Sequence, residues 1–142
     1  MPTRKKIKSI FFIEDSITGR SITREAFKRI EEKTDSTLVI TYISTGREFI
    51  KRIQKERAPP DMILMDYHLP VLDASDIFEI LSKDESWSRI RKIPTIVFTS
   101  IPKFPEYVLL EKYNINASIE KPISTKELEG LLKCLIRIWL IK

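Results

Sequence analysis

The chain has one cysteine and one histidine in 142 residues, and no long hydrophobic run. The lone Cys134 cannot close an internal disulfide, so a reducing cytoplasm is the expected compartment. No apolar stretch approaches the roughly 20 residues that span a bilayer, so no membrane attachment is expected. The start, MPTRKKIKSIFFIEDS, is basic and then apolar. Its apolar part is too short for a signal peptide, and it runs directly into Glu14 and Asp15. Internal repeats and low-complexity linkers are also missing. One domain is therefore expected over 1–142, with its core over about 7–141. The apolar content of 42% suits a globule that buries its own core without disulfides or structural metal. The net charge is +5, and Arg4, Lys5, Lys6 and Lys8 precede the first strand. They read as a solvated arm. No recognition helix or aromatic–basic stacking surface accompanies them, so nucleic acid is not an expected partner.

What the chain does have is a regular alternation of strand and helix signals. Residues 7–13 (IKSIFFI) form a nearly continuous apolar run, as expected for a strand covered on both faces. Ile22, Ala26 and Ile30 recur at a spacing of four within a helix over 17–33. Residues 38–43 (LVITYI) are β-branched and partly alternating, which suits a strand nearer the sheet edge. Thr45-Gly46-Arg47-Glu48 matches a capping box opening a helix to about residue 56, and Pro59-Pro60 stops it. MILMD (62–66) is the third strand, and Asp73 caps a helix over roughly 74–83. Residues 84–93 read as a polar connector. TIVFT (95–99) is the fourth strand. Pro105 suits the first turn of a helix reaching about Tyr113. Residues 117–120 form a short fifth strand, and Ser124 to Glu127 cap a last helix that runs almost to the end. Such a β-α alternation predicts a parallel sheet with helices on both faces, where ligands bind beyond the carboxyl ends of the strands.

Those strand ends carry the chemistry. Glu14 and Asp15 follow the first strand, Asp66 ends the third, Thr99 and Ser100 follow TIVF, and Lys121 follows ASIE. Clustered carboxylates persist when a cation neutralises them or when one stays protonated. An oxygen donor set suits a hard ion, and Mg²⁺ takes one or two carboxylates with waters and a phosphate oxygen. Asp15 and Asp66 are candidate ligands, with Glu14 acting directly or through water. A carboxylate can also attack phosphorus to give an aspartyl phosphate. Asp66 then reads as the nucleophile, with Lys121 as the stabilising cation and Thr99 as the hydroxyl donor.

The segments IED (13–15), MDYHLPVLD (65–73), IPTIVFTS (93–100) and EKP (120–122) resemble, in order and spacing, the receiver domain of two-component response regulators. The resemblance covers nearly the whole chain. It implies a CheY-like, flavodoxin-like α/β fold: a doubly wound five-stranded parallel sheet of order 2-1-3-4-5 with five helices. It also implies a phosphoacceptor role for Asp66 and a Mg²⁺ site formed by Glu14, Asp15, Asp66 and the backbone carbonyl of His68. Thr99 and Lys121 would contact the phosphoryl oxygens, and Lys121-Pro122 resembles the family's lysine before a cis proline. The implied partners are a sensor histidine kinase or phosphotransfer protein and a downstream protein. The role is that of a switch rather than an enzyme. The long connector before IPTIVFTS and the Trp139-Leu140 pair are similar to phytochrome-linked single-domain receivers. The competing readings are a haloacid-dehalogenase-like phosphatase, which wants D-x-D after the first strand, and a flavodoxin-like flavin protein, whose phosphate loop Glu14 and Asp15 would repel.

The chain departs from the family pattern in several places. Ala74 stands where glycine is common, so this turn is expected to avoid positive φ or to be strained. Ser118 occupies the usual place of an aromatic switch residue, for which Tyr107 or Tyr113 are the available substitutes. Ile101 is apolar where an attacking water would approach, which predicts slow self-dephosphorylation. Leu128, Leu131, Leu132, Leu135 and Trp139 share one face of the last helix, where Cys134 is expected to be buried. Its end, Ile138 to Ile141, is apolar all round and is a candidate homodimer contact.

Overall fold

The computed structural model describes residues 6–99 and 110–141. Five strands, β1 (Lys6–Ile13), β2 (Ser36–Ile43), β3 (Met62–Asp66), β4 (Thr95–Thr99) and β5 (Ala117–Glu120), form one parallel sheet in the order β2-β1-β3-β4-β5. The helices are α1 (Ile17–Glu32), α2 (Gly46–Lys55), α3 (Ala74–Ser82), the single turn α4 (Trp87–Ile90), the helical residues 110–113 (α5), and α6 (Thr125–Trp139). The strand order is the expected one, and β2 lies at the sheet edge as its partial alternation suggested.

Alternation along the strands builds two cores. Ile10 and Phe12 of β1, Met62 and Leu64 of β3, and Ile96 and Phe98 of β4 pack with Phe27 and Ile30 of α1 and Leu128 and Leu132 of α6. Phe11, Ile13, Ile63, Met65 and Val97 pack on the other face with Phe49 and Ile53 of α2 and Ile77 and Phe78 of α3. A strand buried on both faces needs apolar residues at consecutive positions, and β3 has four fully buried residues before Asp66. Capping fixes the helix starts. The side chains of Ser16, Thr45 and Ser124 accept the N–H groups of Gly19, Glu48 and Glu127, and Asp73 with Asp76 forms a two-sided box at α3.

The structure corrects several expectations. The connector over 84–93 contains α4, giving six helices among the described residues rather than five. Trp87 is drawn inward by Phe78 and Tyr113, with ring centroids at 6.4 and 6.3 Å, so apolar contact orders a stretch whose composition reads as polar. The same packing commits Tyr113 to the core, where it stacks on Phe78, and removes it as a mobile substitute for the missing aromatic at Ser118. Ala74, fully buried as the first residue of α3, avoids positive φ as expected, and in this turn the positive φ falls at Val71 (φ 69°). Cys134 is exposed, because the buried stripe of α6 runs through Leu128, Leu132, Leu135 and Ile136. Leu140 is buried and Trp139 and Ile141 pack on the same core, which leaves Ile138 as the exposed member of that apolar end. Leu140→Glu therefore perturbs folding and is a poor probe of self-association. The Lys121–Pro122 bond is trans, as among the described residues no peptide bond is cis. The expectations placed on Arg4, Lys5, Ser100, Ile101, Pro105 and Tyr107 lie outside the described residues.

Candidate functional site

Strand register assembles the site. β1 and β3 pair with Ile13 opposite Met65, so the next positions, Glu14 and Asp66, face each other. β3 and β4 pair with Asp66 opposite Phe98, and β4 and β5 pair with Thr99 opposite Glu120. The Lys121 N–H then donates to the Thr99 carbonyl at 2.9 Å. Four segments distant in sequence thus end at one edge of the sheet, where the backbone leaves its ladder and polar side chains can converge.

Lys121 Nζ lies 2.6 Å from Glu14 Oε2 and 3.5 Å from Asp66 Oδ1. Glu14 is only 1% exposed. Its second carboxylate oxygen, Oε1, accepts the Ser16 N–H at 3.0 Å, at the start of α1. Burying a carboxylate this deeply requires such partners, because an unpaired charge there costs several kcal/mol. Asp15 is exposed beside it, and oxygens of Glu14, Asp15 and Asp66 lie within 4.8 Å of one another. Thr99 is buried. A cavity of about 120 Å³ opens among Asp66, His68, Phe98, Thr99 and Lys121. That is the share of roughly four liquid waters at ~30 Å³ each, enough for one small anionic group. His68 is exposed at its rim, its imidazole edge-on to Tyr67 at 4.9 Å.

The carboxylates titrate as a set. Burial, a hydrogen bond with Glu14 and the charge of Glu14 outweigh the pull of Lys121 and push Asp66 up to about 8. Burial also opposes ionisation of Glu14, but hydrogen bonds from Asp66, Lys121 and the Ser16 N–H hold it below its usual range. Burial alone would lower Lys121, yet the charge of Asp66 and the bond to Glu14 raise it. The metal-free site thus favours an ionised Glu14 beside the Lys121 ammonium and resists ionisation of Asp66. The donor set is all oxygen and short of positive charge, which fits a hard divalent cation such as Mg²⁺.

A pH dependence follows. The unfolded Asp66 ionises near its ordinary value of 3.8 and the folded one near 8, so between these the folded state binds more protons. Stability then falls as pH rises through this window. In EDTA, the melting temperature of the wild type is expected to drop between pH 6 and pH 9 relative to that of Asp66→Asn. Parallel pH profiles for the two proteins would contradict the assignment.

Every candidate residue within the described segments, Glu14, Asp15, Asp66, His68, Thr99 and Lys121, lies at this edge. Reading the sequence missed Ser16, Gly19, Arg20 and Ser44. Arg20 Nε donates to the Glu14 carbonyl at 3.0 Å, and its other arm bonds Ser44 Oγ. The available signal was a glycine inside a helical pattern, which asks for a packing reason.

Residues 10–133 match the family described as response regulator receiver domain. The chain is 24% identical over 127 residues to the hybrid signal transduction histidine kinase M of Dictyostelium discoideum; the match covers 89% of this chain but 5% of that protein. The fold is similar to that of a phosphorylated cyanobacterial phytochrome response regulator, RcpA, with a TM-score of 0.79 at 21% identity and 94% of each chain covered. It is also similar to a sensor histidine kinase receiver domain from Pseudomonas aeruginosa PAO1, solved with magnesium in its active-site cleft. That match has a TM-score of 0.67 at 22% identity and covers 92% of this chain and 98% of that one. Among the described residues no helix is long and apolar enough to cross a membrane.

Proposed function

Because this chain belongs to the response regulator receiver domain family and is a phosphoacceptor module of two-component signalling, we propose that Asp66 is its phosphoacceptor. The observation that carries this reading is the convergence of Lys121 on Asp66 and Glu14 beside a small cavity that Thr99 also lines. An Asp66 carboxylate oxygen attacks the phosphorus of a phosphohistidine. A P–O bond forms, the P–N bond breaks, and the imidazole nitrogen leaves with the electron pair. Lys121 places its ammonium where the equatorial oxygens gather charge, and the Thr99 hydroxyl donates to one of them. Asp15, Asp66, the His68 carbonyl and Glu14, directly or through water, would hold Mg²⁺. When bound, the ion neutralises the clustered carboxylates and the phosphoryl oxygens.

The donor in this reading is a sensor histidine kinase or phosphotransfer protein in the cytoplasm. Phosphorylation biases two conformations of the domain, and a downstream protein reads the difference. The protein acts as a switch and turns over no substrate besides its own acyl phosphate. A flavin protein is disfavoured by the negative site, and a haloacid-dehalogenase-like phosphatase by the absence of D-x-D after β1.

Acetyl phosphate with Mg²⁺ is expected to add one phosphoryl group to the intact protein by mass spectrometry. The adduct should be labile to hydroxylamine, as an acyl phosphate is, and should not form in EDTA. A hydroxylamine-stable adduct, or one formed equally in EDTA, would sink the reading.

A further inference from the structure

The residue of α1 that lies over the Glu14 carboxylate has no side chain. A Cβ built on Gly19 would stand 3.0 Å from Glu14 Cδ, 3.1 Å from Oε2 and 3.2 Å from Oε1. Carbon contacts settle near 3.5–4.0 Å, so an alanine here forces the carboxylate to move. The glycine is not needed by the backbone, since no glycine among the described residues has positive φ and Gly19 lies within helix α1. In such a position glycine is the weaker helix former, so its presence calls for another reason. The space it leaves is filled by Glu14, whose two oxygens are bonded to the Ser16 N–H and to Lys121.

The next residue acts on the backbone of the same group. Arg20 donates to the carbonyl of Glu14, which belongs to the peptide joining Glu14 to Asp15, and also bonds Ser44 Oγ just past β2. On the other side, the Glu14 N–H donates to the Ile43 carbonyl at 3.0 Å. Glu14 is therefore fixed at its N–H, its carbonyl and both carboxylate oxygens, and Asp15 is carried by a peptide whose plane is set.

We propose that Gly19 and Arg20 are a positioning pair for the acidic site: Gly19 vacates the volume that the Glu14 carboxylate occupies, and Arg20 fixes the peptide that presents Asp15. The inference rests on the reading of the site as one for a divalent cation. It is tested with Mn²⁺ alone, titrated into the full chain and followed by the paramagnetic signal of the free ion.

Gly19→Ala is expected to weaken Mn²⁺ binding about ten-fold or more, the scale on which groups that orient ligands act. Its melting temperature in EDTA should stay level or rise, since alanine favours the helix. Glu14→Asp withdraws the carboxylate by one methylene from the new Cβ. The double variant Gly19→Ala/Glu14→Asp should therefore bind Mn²⁺ as Glu14→Asp alone does. Arg20→Ala should also weaken binding, and Arg20→Lys should not restore it, because one ammonium cannot reproduce the guanidinium fork. Unchanged affinity in Gly19→Ala would overturn the proposal. So would a loss that Glu14→Asp fails to relieve, or one accompanied by a fall in the EDTA melting temperature. A wild type that binds no Mn²⁺ would overturn the cation site itself, and this proposal with it.

Discussion

Asp66→Asn is expected to take up no phosphoryl group under conditions in which the wild-type chain gains one. The substitution keeps the shape and the hydrogen-bonding reach of the side chain but removes the nucleophilic oxygen. It is a clean deletion of the chemistry because the rest of the site survives. Lys121 still lies against Glu14, at 2.6 Å in the wild type, and β3 keeps its four buried residues. The same substitution should stabilise the metal-free protein at alkaline pH. Asp66 is mostly buried and faces Glu14, which is why its ionisation is pushed up to about 8. Asparagine carries no charge to repel Glu14 at any pH. The expected pair of results is zero phosphorylation by intact mass and a raised melting temperature at pH 9 in EDTA. Full phosphorylation of Asp66→Asn would move the acceptor elsewhere, and Asp15, exposed within the same carboxylate cluster, would be the first residue to examine.

Lys121→Met should damage both stability and chemistry. Its methyl-capped side chain keeps most of the volume and loses the cation. Glu14 then keeps, at 1% exposure, its bonds with the Ser16 N–H and Asp66 but has no compensating cation. Breaking a fully buried pair costs about 3–5 kcal/mol. The Lys121 side chain is 29% exposed, so solvent screens part of the loss; a cost of about 2 kcal/mol is expected. For a chain of this size that is a fall of roughly 6–10 °C in melting temperature in EDTA. Phosphorylation from acetyl phosphate should slow by about 10²-fold or more, as when one preorganised donor to a developing charge is lost. Adding Asp66→Asn to Lys121→Met should recover part of the lost stability, because it removes one of the two carboxylates that the lysine was neutralising. That non-additivity is the signature of a coupled charge set. A Lys121→Met protein that is phosphorylated at the wild-type rate would remove the lysine from the mechanism.

Much of this was legible in the chain. Strands covered on both faces demand unbroken apolar runs, so SIFFI, MILM and TIVF could be placed almost to the residue, and the carboxylates and lysine following them stood out. Three helix starts were legible for a similar local reason, since Thr45, Asp73 and Ser124 satisfy backbone N–H groups within three residues of themselves. What failed depended on partners far away in sequence. α4 was invisible because its order comes from Trp87 meeting Phe78 and Tyr113. Cys134 was misplaced because the helical pattern does not say which flank of an apolar stripe the neighbouring helix covers. Ala74 avoids positive φ, as its side chain asks, but the sequence did not show that Val71 would take the left-handed position before the buried start of α3.

The sequence by itself determined which groups stand at the strand ends, since an apolar run must stop where its side chains meet water. It therefore determined Asp66, Glu14, Asp15, Thr99 and Lys121 as a set. Only the tertiary structure decided how they pair. Side-chain alternation allows β1 to lie beside β3 in any register shifted by two residues, and packing on α1 and α6 selects the one with Ile13 opposite Met65. That choice sets Glu14 against Asp66, brings Lys121 between them and leaves the Glu14 carboxylate lying over Gly19, the one residue of α1 with no side chain to exclude it.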